Sequence, residues 1–320
     1  MNFQKNILLK NYSNYKIGGP AKYFIEVTSA EELKEVFRQA PFDAVQGKQD
    51  KIAILGGGTN ILISDQGFDG LVIHNKIGGI ERSEDNVIAG SGVLIKELLD
   101  FCIENSLSGL EWAGGLPGTL GGAVRGNAGA FKGETKDNIV EVKSLGLKNN
   151  SAMQNEKIRN KKECKFSYRD SIFKSGEASV EFIISVTLNL RPGDKEEIRK
   201  SIQQKIDYRN LKHPMNYPNI GSIFKNIPLD SLQKQLQEKF LPYVKTDPFL
   251  VVPTTKLLAL SGLKGRRCKG AMISDKHPNF IVNVDSASEK DIRALIKIAK
   301  ETIRKRYGIP LEEEIIYLPR

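Results

Sequence analysis

The chain has 320 residues, 40% of them hydrophobic and 27% charged, so it is long enough for two or three domains of about 100–200 residues with real cores. No apolar run approaches the roughly 20 residues of a membrane helix, and the N-terminal MNFQKNILLK lacks a secretory pattern, so a cytoplasmic protein without a membrane partner is expected. The net charge of +10 is spread through charge-mixed helices rather than an aromatic-interleaved basic strip; the one dense cluster is Lys264, Arg266, Arg267 and Lys269, and anionic small molecules explain the balance without nucleic acid.

In chain order, Tyr23–Val27 reads as a strand and Ser29 opens a helix, with Glu32 three residues on completing a capping-box pattern. Lys51–Leu55 is an apolar β-type run that empties into Gly56-Gly-Gly-Thr-Asn60, as a strand feeding a phosphate-cradling loop does. A further strand follows at 71–73, so the first 76 residues read as a small α/β unit. Residues 77–204 begin with short strands such as Asn86–Ala89. A helix over Lys96–Asn105 then carries the apolar stripe Leu98, Leu99, Cys102 and Ile103. Next comes the densest glycine stretch, with glycines at 109, 114, 115, 118, 121, 122, 126, 129 and 133; such density costs backbone entropy and suits either tight turns or peptide amides brought close to a ligand. Val180 to Leu190 alternates, with Val180, Phe182, Ile184, Val186, Leu188 and Leu190 on one face, and predicts a half-buried strand. A charged helix from Lys195 to Lys212 leads into residues 205–320. That last region holds a polar helix over Ser231–Lys239, a strand over Asn279–Asp285, and an amphipathic helix over Ala287–Tyr307 burying Ile292, Leu295, Ile296, Ala299 and Ile303.

Neither GxGxxG nor GxxxxGK[ST] occurs, so a Rossmann or P-loop reading fails. Cys102, Cys164 and Cys268, and likewise His74, His213 and His277, are too scattered for a disulfide framework or a metal site, and no metal is expected. Trp112 reads as core rather than as a stacking residue.

Six strings in one order narrow the reading: Gly56-Gly-Gly-Thr-Asn60, Gly109 to Ala123, Asn127-Ala-Gly129, Tyr168-Arg-Asp170, Gly221-Ser-Ile-Phe224 and Leu311-Glu-Glu-Glu314. Together they resemble the UDP-N-acetylenolpyruvoylglucosamine reductase family, colinearly from about Tyr15 to Ile315. The resemblance implies an α+β protein: a two-subdomain FAD-binding fold of the vanillyl-alcohol-oxidase type (residues 1–76 and 77–204) plus a C-terminal α+β substrate domain (205–320). It also implies the cofactors FAD and NADPH, the substrate UDP-N-acetylglucosamine enolpyruvate, and a bacterial cytoplasmic role in peptidoglycan precursor synthesis. A monomer is expected.

By position, the resemblance assigns Gly56, Gly57, Gly58, Thr59 and Asn60 to the FAD phosphates, and Gly114, Gly115, Leu116, Pro117, Gly118, Gly121, Gly122 and Ala123 to a segment along the flavin. Arg169 would support the charge that develops on the substrate carboxylate, since a guanidinium grips carboxylate bidentately. Ser222 would deliver a proton, and Glu314 would share a proton with the substrate carboxylate or hold a water. Tyr168, Lys212 and Asn226 would contact substrate, Lys212 at the substrate diphosphate or the dinucleotide; Arg125 and Arg209 are weaker phosphate candidates. Taken without the resemblance, Tyr168-Arg169-Asp170 is a surface ion pair at a turn, Ser222 a turn serine and Glu312-Glu313-Glu314 a solvated run. Two rival readings are an FAD-dependent oxidase or dehydrogenase of another sugar or alcohol, and a non-catalytic flavin or nucleotide-binding module. Neither glycine loop contains the histidine or cysteine that a covalent flavin would want.

The interval of 53 residues from Arg169 to Ser222 points to the subtype without a substrate-capping insertion. About twenty residues near Leu229–Leu250 exceed shorter family members, which would alter the substrate-side lid. The chain ends six residues after Glu314, which would loosen its last strand.

Overall fold

In the computed structural model, residues 1–40, 51–83, 86–147, 153–177 and 181–319 are described. The chain divides into two compact units. One comprises Met1–Ile7, Pro20–Gly57 and Phe68–Ile206; the other comprises Leu8–Gly19, Gly58–Gly67 and Asp207–Arg320.

The first unit contains a four-stranded sheet in the order Gln4–Leu8, Pro20–Val27, Phe68–Asn75, Ile52–Leu55, in which the last three strands run parallel. Parallel neighbours need crossover connections, and the helix Ala30–Gln39 follows the second of these strands. Ser29 Oγ accepts from Glu32 N at 3.0 Å, as the pattern predicts. The reciprocal half of the box is not made: the Glu32 carboxylate accepts from Thr28 N and Oγ1 instead.

A second, antiparallel sheet has the order Met153–Asn160, Ile139–Leu147, Phe182–Asn189, Asn86–Gly90, Ile80–Ser83. The expected alternation holds in the second half of its central strand, where Val186 and Leu188 are buried and Ser185, Thr187 and Asn189 are not, but fails at its start. Phe182, Ile183 and Ile184 are all buried, Phe182 and Ile184 among Tyr23, Val27, Leu33 and Phe37, and Ile183 among the residues that pack with helix Ile95–Glu104. The sheet is therefore covered on both faces. A register shift between the pairs Lys143–Ser185 and Ser144–Ile183 breaks the two-residue period, which is what a bulge does. Val180 lies outside the described residues.

In the second unit, helix Glu289–Tyr307 buries Ile292, Leu295, Ile296, Ala299 and Ile303 as its pattern requires. Ser288 and Asp291 form a complete capping box at its start, and Gly308, at φ 70°, ends it. The expected strand over Asn279–Asp285 is shorter, Ile281–Asn283, in a three-stranded antiparallel sheet with Ala271–Ile273 and Arg267–Cys268. The Ser231–Lys239 region forms an α-helix over Lys234–Phe240, preceded by a short 3-10 helix at Leu229–Ser231. The last strand, Ile316–Leu318, runs parallel to Ile61–Ile63, and Ser64 N donates to Leu318 O at 2.8 Å.

Candidate active site

In the first unit the two glycine loops lie backbone to backbone. Strand Ile52–Leu55 delivers Gly56 and Gly57 beside Gly118 and Thr119: a Cβ on Gly57 would lie 2.8 Å from Gly118 Cα, and one on Gly56 would lie 2.6 Å from Thr119 Oγ1. Only bare backbone permits that approach. Gly115 and Gly118 adopt φ of 71° and 107°, which favour glycine. Among the described residues, the amides of Gly57, Gly115 and Gly118 donate to no protein acceptor. Close-set glycine backbone with donors to offer is the donor set that a dinucleotide pyrophosphate requires, so these residues fit FAD.

The rest of the second loop is tied to the protein itself. Gly114 packs on the helix Lys195–Lys212, where a Cβ would meet Ile202 O at 2.5 Å. The amides of Gly121 and Ala123 donate to Ser91 O and Thr119 O, and Ala123 is 7% exposed within the core. Leu116 packs against that core from its edge, whereas Pro117 and Gly122 are exposed. Trp112 is core, as expected.

Tyr168 and Arg169 occupy the apex of a tight turn closed by hydrogen bonds between Ser167 and Asp170 in both directions. Arg169 sits at φ 56°, a left-handed conformation that costs a non-glycine residue about 1 kcal/mol or more. Its Nη2 donates to Gly129 O at 2.6 Å, Nη1 lies 4.0 Å from Glu134 Oε1, and Cζ is 5.1 Å from the Tyr168 ring centroid. The arginine is thus held on three sides and its side chain is 17% exposed. Arg125 enters this region through its carbonyl, which accepts from Ser171 Oγ.

In the second unit, residues 223–225 pair antiparallel with 312–314. Glu314 N donates to Ile223 O at 2.8 Å, Lys225 N donates to Glu312 O at 2.9 Å, and Phe224 faces Glu313. This ladder brings Ser222 and Glu314, 92 residues apart, to the same end of one short pairing. Gly221, at φ 84°, makes the turn that precedes it, and its amide donates to the Asn219 side chain. Asn60, the last residue of the first loop, donates from Nδ2 to Glu314 O at 3.2 Å, and its own carbonyl accepts from Ile316 N. Gly58 approaches the backbone so closely that a Cβ would fall 1.9 Å from Tyr12 O; Thr59 is half-buried beside it. The Asn226 Oδ1 accepts from Thr254 N at 3.1 Å, starting the helix Thr254–Leu260. Lys212 is exposed at the end of its helix.

Three features here escape a linear reading. His74 lies beside the first loop, opposite Leu55, with Nδ1 2.8 Å from Glu26 Oε1; burial holds its imidazole below the ordinary range, although Glu26 opposes the shift. Glu134 and Asn127 stand around Arg169 through pairings that no local spacing announces. The burial of Arg209, named from the sequence only as a weaker phosphate candidate, is the third: the residue is 9% exposed, and burial lowers its guanidinium to about 10.

A family model described as the C-terminal domain of UDP-N-acetylenolpyruvoylglucosamine reductase matches residues 213–318, and one described as an FAD binding domain matches residues 21–146. The chain is 35% identical to the UDP-N-acetylenolpyruvoylglucosamine reductase of Carboxydothermus hydrogenoformans over 97% of this chain and 92% of that one. It is 33% identical to the protein of the same name from Clostridium tetani, over 99% and 92%. A crystal structure of UDP-N-acetylenolpyruvylglucosamine reductase from Thermus caldophilus superposes with a TM-score of 0.74 at 29% identity, covering 99% of each chain.

Proposed function

We infer the reaction from the family: the chain belongs to the UDP-N-acetylenolpyruvoylglucosamine reductases, FAD-dependent oxidoreductases with an FAD-binding domain and a distinct C-terminal domain. The proposed substrate is UDP-N-acetylglucosamine enolpyruvate, reduced at the expense of NADPH to UDP-N-acetylmuramate, a peptidoglycan precursor made in the cytoplasm. Among the described residues no helix is long and apolar enough to cross a membrane.

FAD held by the two glycine loops would supply the redox chemistry that links NADPH oxidation to hydride addition at the methylene carbon of the enolpyruvyl group. The residues of this chain then have three tasks. Gly56 and Gly57 with Gly115 and Gly118 offer amides for the cofactor pyrophosphate. Hydride addition drives negative charge onto the adjacent carbon and its carboxylate. Arg169, always charged and already oriented by Gly129 O, stabilises that charge as it grows. Ser222 Oγ gives its proton to the carbanionic carbon, and Glu314 interacts with the carboxylate on the same substrate group. Tyr168, Lys212 and Asn226 are proposed to contact substrate.

The observation that most supports these roles is the ladder between 223–225 and 312–314, in which Ile223, the residue after Ser222, pairs with Glu314. Anaerobic stopped-flow measurements of the two half-reactions test it. Ser222→Ala is expected to leave flavin reduction by NADPH within about 2-fold of wild type while slowing flavin reoxidation by substrate about 10²–10⁴-fold. Equal losses in both halves would remove Ser222 from the proton-donor role. NADPH oxidation that does not depend on the enolpyruvyl substrate would sink the reaction itself.

A further inference from the structure

Glu134 is 5% exposed, and its carboxylate is distributed over three neighbours. Lys136 Nζ pairs with Oε2, Asn127 Nδ2 donates to Oε1 at 3.2 Å, and Arg169 Nη1 lies 4.0 Å from that same Oε1. The last distance is ion-pair contact and too long for a hydrogen bond. Glu134 therefore acts on the guanidinium through its field while its own hydrogen bonds go to Lys136 and Asn127.

Asn127 makes this arrangement rigid. It is fully buried in the left-handed conformation that ends helix Leu120–Gly126, and Oδ1 accepts from Lys136 N at 3.1 Å. Its Nδ2 also donates to Ser167 O at 2.9 Å, the base of the turn that carries Arg169. Glu134 is the register partner of Gly129 in a two-stranded hairpin, and Gly129 O accepts from Arg169 Nη2. A Cβ on Gly129 would lie 2.8 Å from both Glu134 Cγ and Gly133 O, and 3.1 Å from Arg169 Nη1.

We propose that Glu134, held by Asn127 and Lys136, is a positioning residue that fixes the plane and direction of the Arg169 guanidinium for the growing substrate charge. The proposal rests on the role assigned above to Arg169. A buried carboxylate beside an arginine opposes its rotation, because turning the guanidinium away separates unlike charges at low dielectric. The benefit falls in the transition state, where bidentate alignment matters most.

The test uses the flavin-loaded enzyme with the natural substrates. Glu134→Gln keeps the size, removes the charge and leaves one accepting oxygen where the carboxylate has two. It is expected to slow substrate-driven flavin reoxidation about 10–100-fold, with substrate affinity, read from the perturbation of the flavin spectrum, changed less than about 3-fold. Flavin reduction by NADPH stays unchanged and reports intact folding. In an Arg169→Lys background, Glu134→Gln has no further effect, because what it positions is gone. Gly129→Ala crowds the guanidinium without altering charge and gives the same selective loss, which keeps the proposal testable if Glu134→Gln does not fold. A wild-type reoxidation rate in both variants, or losses that multiply with Arg169→Lys, overturns it. If Arg169→Lys alone reoxidises at the wild-type rate, the role of Arg169 fails first and this proposal falls with it.

Discussion

A single bare α-carbon decides whether the two glycine loops can meet. Gly57 faces Gly118 Cα, and the added methyl of Gly57→Ala has backbone, not a movable side chain, in its way. Overpacking of that kind costs about 1–3 kcal/mol, which corresponds to about 5- to 150-fold in affinity if it falls on the FAD-bound state. Gly57→Ala is therefore expected to purify with a reduced ratio of flavin to protein absorbance. Gly126→Ala, whose Cβ would meet nothing within 4 Å, retains flavin at the wild-type ratio. At this scale the chain text was informative about which backbone had to be bare, since Gly56 to Gly58 follow directly on a strand. It was silent on how each amide is used. Gly121 resembles Gly57 in the sequence, yet its amide is bonded to Ser91 O, a partner thirty residues upstream.

Elements carry a different kind of constraint. Strands Ile139–Leu147, Met153–Asn160 and Phe182–Asn189 are joined at one end by a buried charge cluster. There Arg159 donates two hydrogen bonds to Glu181, and Ser144 Oγ and Lys157 donate to the same carboxylate. Burial alone pushes the Glu181 carboxyl up, but Arg159 and Ser144 outweigh it and hold the carboxyl below the usual range. The Glu181 side chain is 5% exposed, so Glu181→Gln leaves Arg159 without its counter-charge. The expected loss is about 3–5 kcal/mol in urea unfolding, and replacing both residues by methionine recovers most of it. Helix Glu289–Tyr307 was legible in advance because its apolar period and cap lie within its own residues. The double burial of Phe182–Ile184 was not, because it depends on a bulge register set by Ile139–Leu147, some forty residues earlier.

At the scale of the whole molecule, two buried histidines of the second unit give stability an acid response. His213 and His277 stack edge to face at 5.1 Å, each against Phe280. Burial, reinforced by Arg209, Lys276 and Lys245, lowers His213 to about 4; burial, with His213, Lys245 and Lys264, lowers His277 to about 3. Unfolded, both titrate near 6.5, so between about pH 6.5 and these lower values the unfolded chain binds more protons. Stability must then fall as pH falls through that window, with a slope approaching about 1.4 kcal/mol per pH unit per histidine. Urea midpoints measured from pH 7.5 to 5 should decline, and His277→Phe should flatten the decline. A pH-independent midpoint would show that these imidazoles protonate freely in the folded protein.

Local requirements were written in the order of residues: where backbone must be bare, where a helix starts and stops, and which six strings mark the family. The pairings around the proposed site residues were not, because they join segments far apart in the chain. Ile223, next to Ser222, pairs with Glu314 through a ladder closed across some ninety residues, and Arg169 meets Glu134 only because a hairpin turns back on Gly129. Such contacts are chosen by how whole elements pack and which buried polar groups must find partners. No window of neighbouring residues contains that information.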